Sequence, residues 1–410
     1  MVETTPAWDC DLAIVGGGIV GATLAAALKN SGLRITIIEA QSPTALAQRQ
    51  RAYALSLRSQ EIFTQLGLWS QMLPQIAPFQ KIRLSDADYG RTVAFDQTDL
   101  DRPALGYVGE HRVLVETLQK DLEQSATHRS PLMHWQYNTT VITTTHQGDH
   151  TALVLESEGT RQTLRARLVV GADGARSPLR QQAGIKTKGW KYWQSCVTFT
   201  IRHQNPDNNT AYERFWYDGP MGVLPLPGNR CQIVWTAPHA QAQALVALDA
   251  ATFIERFQTR TQGLFSGLEL VSDRLAFPVQ LMQSDRYVQP RLALIGDAAH
   301  CCHPVGGQGL NLGIRDAAAL AEILHNAQSA GEDIGDLAVL RRYERWRRGE
   351  NSVILAFTDF LNRCFSNQFW PLVMIRRLGL WGLFLLRPLR LLALRLMTGL
   401  LGRTPRFKVG

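Results

Sequence analysis

Cysteine is scarce in this chain. Six are spread over 410 residues, and no two stand in C-x-x-C spacing. That argues against a disulfide framework and leaves free thiols in a reducing compartment as the expectation. His300, Cys301, Cys302 and His303 are contiguous, unlike the separated ligand pairs of a zinc site, so no metal is expected. Repeats and low-complexity tracts are missing, which excludes repeat arrays. The opening MVETTPAWDCDL lacks both a basic n-region and an apolar h-region, so no signal peptide is expected there. Long apolar runs are missing as well. In the apolar C-terminal tail the longest uncharged stretch, Leu378 to Leu386, falls far short of the roughly 20 residues that a membrane span needs.

What is present is a hydrophobic fraction of 45%, enough at this length for a large core divided between two or three domains. Three strand-end turns stand out. Cys10 to Val15 reads as a buried strand running into Gly16-Gly17-Gly18-Ile19-Val20-Gly21. A helix follows to about Asn30, then a second strand, Arg34 to Ile38, ending at Glu39. This is a G-x-G-x-x-G turn in its βαβ context. Gly16 allows the turn, Gly18 admits a pyrophosphate, and Gly21 lets helix and strand approach. Glu39, 18 residues after Gly21, is placed for ribose hydroxyls and would repel a 2′-phosphate, so FAD or NAD fits better than NADP. In mid-chain an apolar run ends in Gly171-Ala172-Asp173-Gly174-Ala175-Arg176-Ser177. Finally, Leu292 to Ile295 leads into GDAAHCCHPVGGQGLNLG, residues 296–313. There a strand, Asp297 and a glycine-rich loop precede a helix expected to open at Asn311 and run to about Asn326. Unpaired N–H groups and the positive dipole end of that helix suit a polar, electron-rich cofactor edge.

GGGIVG, GADGARS and GDAAHxxHPxxGQGLNLG in this order resemble the FAD-dependent aromatic hydroxylases of the p-hydroxybenzoate hydroxylase fold. Within them, the chain is most similar to the hydroxylases of ubiquinone biosynthesis. The resemblance spans nearly the whole chain, including RAYALS with Arg51, GYVGEHRVLVETL with Arg112, VLPLPGNRCQIVW, FPVQLM and MTGLLGRTPRF. It implies that Gly16, Gly18 and Gly21 surround the FAD pyrophosphate and that Glu39 binds the adenosine ribose. Arg51 and Arg112 would contact the phosphate and ribityl portions, and Asp297 the ribityl chain or pyrophosphate. The backbone of Gly309, Leu310 and Asn311 would face the flavin pyrimidine edge. Asp173 belongs to a motif tied to FAD and nicotinamide use. No second dinucleotide fingerprint exists, as in this class, where NAD(P)H reduces the flavin without a domain of its own. The implied chemistry is oxygen transfer from a C4a-hydroperoxyflavin to an electron-rich ring. No side chain is named as its acid or base. His300 is expected to order its loop, and the two cysteines beside it to act as small filler near the flavin.

The fold class expected is α/β: a discontinuous Rossmann-like FAD-binding domain, an inserted, mainly antiparallel β substrate domain, and a C-terminal helical tail. The boundaries are 1–183 and 285–350 for FAD (80–100 partly substrate-side), 184–284 for substrate, and 351–410 for the tail. From Arg341 to Gly410 the chain carries 14 Lys and Arg against 3 Asp and Glu, while its formal net charge is +8. Arginines interleaved with aliphatics favour an interfacial helix on an anionic membrane over a helix docked on the core, and leave nucleic acid a poor third. With the resemblance, this implies a cytoplasmic enzyme on the inner face of a membrane. It would hydroxylate a polyprenylated phenol or quinol precursor of ubiquinone or plastoquinone, alongside other quinone-biosynthesis enzymes. The alternatives are a related monooxygenase or epoxidase on another aromatic or isoprenoid substrate, and a non-catalytic flavin-binding scaffold.

Overall fold

The computed structural model describes residues 8–86, 92–128 and 132–406. The apolar run Cys10–Val15 forms the centre of the parallel part of a mixed sheet, which antiparallel strands Thr140–His146, Thr151–Ser157 and Val288–Gln289 extend. Ile35–Ile38 and then Met133–Gln136 lie on one side of this run, and Thr160–Gly171 and then Leu292–Leu294 on the other. Leu12, Ala13, Ile14, Ile37, Leu168 and Val170 are buried, as expected where helices or further strands cover both faces of a parallel sheet. Helix Ile19–Leu28 packs against His111–His128 and against Gln308–Ser329, which runs through the interior. All three strand-end turns therefore open at the same end of one sheet.

A second, largely antiparallel sheet stands beside it. Its order is His300–Cys301, Leu275–Ser284, Thr187–Arg202, Arg230–Pro238, Gly219–Leu226, Thr210–Trp216, Lys81–Asp86 and Thr92–Asp96; only the Thr210–Trp216 and Lys81–Asp86 pair is parallel. Strand alternation gives it two characters. Cys231, Ile233 and Trp235 point into an aromatic core with Phe199, Phe253 and Phe257. Gln232, Val234 and Thr236 point the other way, into a cavity.

Helix Gln308–Ser329 starts three residues earlier than expected. Gly306 and Gly307 both take positive φ (69° and 61°), a conformation open to glycine at little cost, and the turn they make lets Gln308 begin the helix. Behind it a buried polar network joins this helix to Leu337–Phe365. Asp316 Oδ2 accepts from the Gly296 N–H and lies 2.5 Å from His300 Nε2. Its Oδ1 accepts from Arg347 (2.8 Å) and Asn351 (3.0 Å). Burial pushes the Asp316 carboxyl up, but His300 and Arg347 pull it further down, well below the usual carboxylate range.

The tail forms two helices, Trp370–Leu385 and Arg387–Met397, separated at Leu386, with Pro371 and Pro388 in their first turns. Arg376 does not reach outward as an interfacial arginine would: it is buried against Asp86 at 2.7 Å, and Arg390 pairs with Asp99. Leu380 and Leu394 anchor the two helices inward. Most of the remaining apolar surface faces outward, with Trp370 71%, Phe384 54% and Trp381 48% exposed. Among the described residues no helix is long and apolar enough to cross a membrane.

Candidate active site

The three turns and the second sheet enclose a cavity of ≈ 420 Å³, within the usual size range of small-molecule sites. It is lined by Gly18, Gly174, Asp297, Gly307, Gly309 and Leu310 from the turns and their loops, by Arg51 and His111, and by Glu213, Gly222 and Phe277 from the second sheet. Met397, the last residue of helix Arg387–Met397, completes the wall.

Local packing explains the first turn. Gly16 has φ 105°, and a Cβ there would meet the Ala172 carbonyl oxygen at 2.4 Å. A Cβ on Gly21 would meet the Gly16 oxygen at 2.0 Å. The first and second motifs are thus pressed together, while the space beside Gly18 is open. Glu39 ends its strand as expected, and its carboxylate accepts from the Gly17 N–H (2.8 Å) and the Gln41 N–H (2.9 Å), pinning the turn.

At the third motif, the helical N–H groups of Gln308, Gly309 and Leu310 have no carbonyl ahead of them in the helix. Asn311 lies deeper. Its Oδ1 accepts from Ser56 N and Ser59 Oγ, and its Nδ2 donates to the Ala54 and Gly307 carbonyls. It fastens the helix start to the chain around residue 55. The Asp297 side chain lines the cavity, and its carboxylate accepts no hydrogen bond from a described residue. Burial raises its carboxyl, against the pull of His300 and Arg51. The Arg51 guanidinium stacks 4.7 Å from the Phe277 ring centroid. These features fit FAD: free helix N–H groups, an unpartnered carboxylate for hydroxyls, an arginine for phosphate, and bare backbone at Gly18.

The FAD binding domain family matches residues 9–352. The ubiquinone hydroxylase UbiL of Rhodospirillum rubrum is 38% identical over 400 residues, covering 96% of this chain and 91% of that one. The 3-demethoxyubiquinol 3-hydroxylase of Escherichia coli is 35% identical over 378 residues, covering 90% and 93%. This chain is an FAD-dependent hydroxylase of the ubiquinone-biosynthesis family. Its fold is shared with the p-nitrophenol 4-monooxygenase PnpA of Pseudomonas putida, with TM-score 0.80 at 19% identity over 96% of this chain and 98% of that one.

Arg112 and Asp173, like Gly16, Gly21, Glu39 and Asn311, are expected site residues of this hydroxylase that do not themselves line this cavity. Arg112 does not line the cavity: its half-exposed side chain pairs with Glu116 at 3.2 Å, and its neighbour His111 faces inward. His111 Nε2 lies 2.9 Å from the Leu46 carbonyl oxygen, and burial pushes the ring down to about 4, so it stays neutral. Asp173 also turns away. Its Oδ2 accepts from the Leu179 N–H at the start of helix Pro178–Gln182, while Ala172 and Gly174 line the wall. His300, buried against Asp316, orders its loop, and Cys301 and Cys302 line the cavity. Gln308 and Glu213 went unsuspected. The signal for Glu213 was a lone carboxylate in the strand segment Ala211–Trp216, which is otherwise rich in aromatic and apolar residues.

Proposed function

We propose that this hydroxylase inserts oxygen into the ring of a polyprenylated phenol or quinol precursor of a quinone of the ubiquinone or plastoquinone type, consuming NAD(P)H and O2. The observation that carries this reading is the cavity's composition. One side is glycine, free N–H and Asp297; the other is a mixed apolar and polar sheet wall that reaches the tail at Met397. Residues 1–183 and 285–350 hold FAD, 184–284 with part of 80–100 cover the substrate, and 351–410 meet the membrane. FAD, when bound, supplies reductive activation of O2. Gly18 and Arg51 hold its phosphates, Glu39 and Gly17 set the adenosine end, and Asp297 takes ribityl hydroxyls. The N–H groups of Gln308, Gly309 and Leu310 favour negative charge on the ring edge. The apolar walls at Phe277, Leu224 and Val234 exclude water and orient the substrate ring.

Exposed Trp381, Phe384, Leu385 and Leu392, with Arg387 and Arg395 beside them, support docking on an anionic bilayer, where a prenylated substrate dissolves. The test supplies FAD-loaded protein with NADPH, 18O2 and prenylated phenols in anionic vesicles. One 18O atom per product molecule is expected. Flavin reduction with no labelled product from any prenylated phenol would overturn the reading.

A further inference from the structure

We infer that Glu213 is the proton acceptor for the phenolic hydroxyl of the substrate; this rests on the phenol hydroxylase reading above. Glu213 lies on strand Thr210–Trp216, opposite Gly222 of the neighbouring strand, and lines the cavity. Its Oε2 accepts from the Gly306 N–H at 3.2 Å, while Oε1 has no hydrogen-bond partner among the described residues. Gly306 belongs to the loop that opens helix Gln308–Ser329, so the carboxylate stands where the proposed flavin loop meets the substrate sheet. The absence of a side chain at Gly222 keeps the approach open: even a Cβ there would lie 3.7 Å from Oε2.

No cation among the described residues pairs with Glu213, so burial is opposed only by the Gly306 N–H, and its carboxyl rises to about 7. Groups on the elements around it do not compete near neutrality. Cys196 on strand Thr187–Arg202 of the same sheet and Cys302 on the loop are pushed up to about 12 by burial, and burial raises Tyr53 as well. His111 is held neutral. Arg51 stacks on Phe277 and forms no ion pair with Glu213, Asp297 lies on the loop after Leu292–Leu294, and the facing segments Gly219–Leu226 and Val305–Gly307 carry no titratable side chain. A group titrating near the working pH is suited to general base catalysis.

In the step itself the phenolic O–H bond breaks, its proton passes to a Glu213 oxygen, and its electron pair delocalises into the ring. The ortho and para carbons become more nucleophilic. After one of them gains oxygen, it releases its hydrogen as a proton to water, and Glu213 returns its proton to the phenolate. The balance is ArH + O2 + NAD(P)H + H+ giving ArOH + H2O + NAD(P)+.

The experiment uses the FAD-loaded full chain and a chromophoric probe, a prenylated nitrophenol, titrated by its phenolate absorbance without NAD(P)H. In the parent, bound probe ionises in two coupled steps. In Glu213→Gln a single step remains, displaced to lower pH by about one unit because the neighbouring negative charge is gone. Hydroxylation by E213Q falls on the order of 10²-fold in kcat, with KM little changed and the acidic limb of the pH profile lost. Glu213→Asp restores part of the rate. FAD content checks folding of each variant. A one-step titration in the parent, or an E213Q profile and rate matching the parent's, overturns the assignment. Neither probe binding nor oxygen insertion in the parent would instead sink the hydroxylase reading on which it rests.

Discussion

Helix Gln308–Ser329 has a carboxylate behind it and another in front of its first turn, and the two are handled in opposite ways. Asp316, at the back, is enclosed by His300, Arg347, Asn351 and the Gly296 N–H. Glu213, at the front, has one backbone donor and a free oxygen facing the cavity. Both are removed from bulk water. The difference in partners separates a carboxylate that holds the helix in place from one left available for chemistry, since burying an uncompensated charge costs stability unless the group takes up a proton.

The comparison breaks first at Asp316. Asp316→Ala removes the fully buried partner of Arg347, leaving it Glu350 and Asn351, and leaves His300 without its buried carboxylate; a loss of about 3 kcal/mol is expected in urea unfolding, with release of FAD. A loss under about 1 kcal/mol would mean the network is ornamental. Asp86→Ala leaves the buried Arg376 unpaired; about 3 kcal/mol is expected, together with faster proteolysis between residues 366 and 400.

Glu213 sharpens the contrast because its replacement should stabilise. Its folded-state pKa is raised from 4.5 to about 7. The native state therefore holds the proton more tightly than the unfolded chain, and stability falls as pH rises between those values. E213Q should exceed the parent at pH 8 by up to about 3 kcal/mol, with the gap closing towards pH 4.5. Equal pH–stability curves would remove the buried-charge argument. The smallest stability change belongs to Trp381→Glu with Phe384→Glu, within about 0.5 kcal/mol for exposed sites. Their co-sedimentation with anionic vesicles should nevertheless fall about tenfold or more. Unchanged sedimentation would place the membrane contact elsewhere.

Local features were readable from the chain and long-range ones were not. The turn at Gly16, the strands around it and the placement of Glu39 depend on residues within about one βαβ unit, and glycine spacing encodes them directly. The helix start was misplaced because positive φ at Gly306 and Gly307 lets the helix begin beside the glycines. Whether His111 or Arg112 faces inward depends on helix rotation by one residue, about 100°, which the motif does not specify. Glu213 meets Gly306 across 93 residues, and no spacing rule spans that gap. Arg376 looked like a headgroup ligand because its partner, Asp86, lies 290 positions away.

One small contact at the tail has a wider consequence. Gln308 Nε2 donates to the Met397 carbonyl oxygen (3.1 Å) as well as to Gly306 (2.9 Å). Outward-facing Leu392 and cavity-lining Met397 belong to one short helix, about 7.5 Å apart along its axis. On the proposed reading, a hydrophobic molecule leaving the bilayer would need to advance only a short distance past this helix to reach the reaction chamber, and any tilt of that helix would register at the first turn of helix Gln308–Ser329.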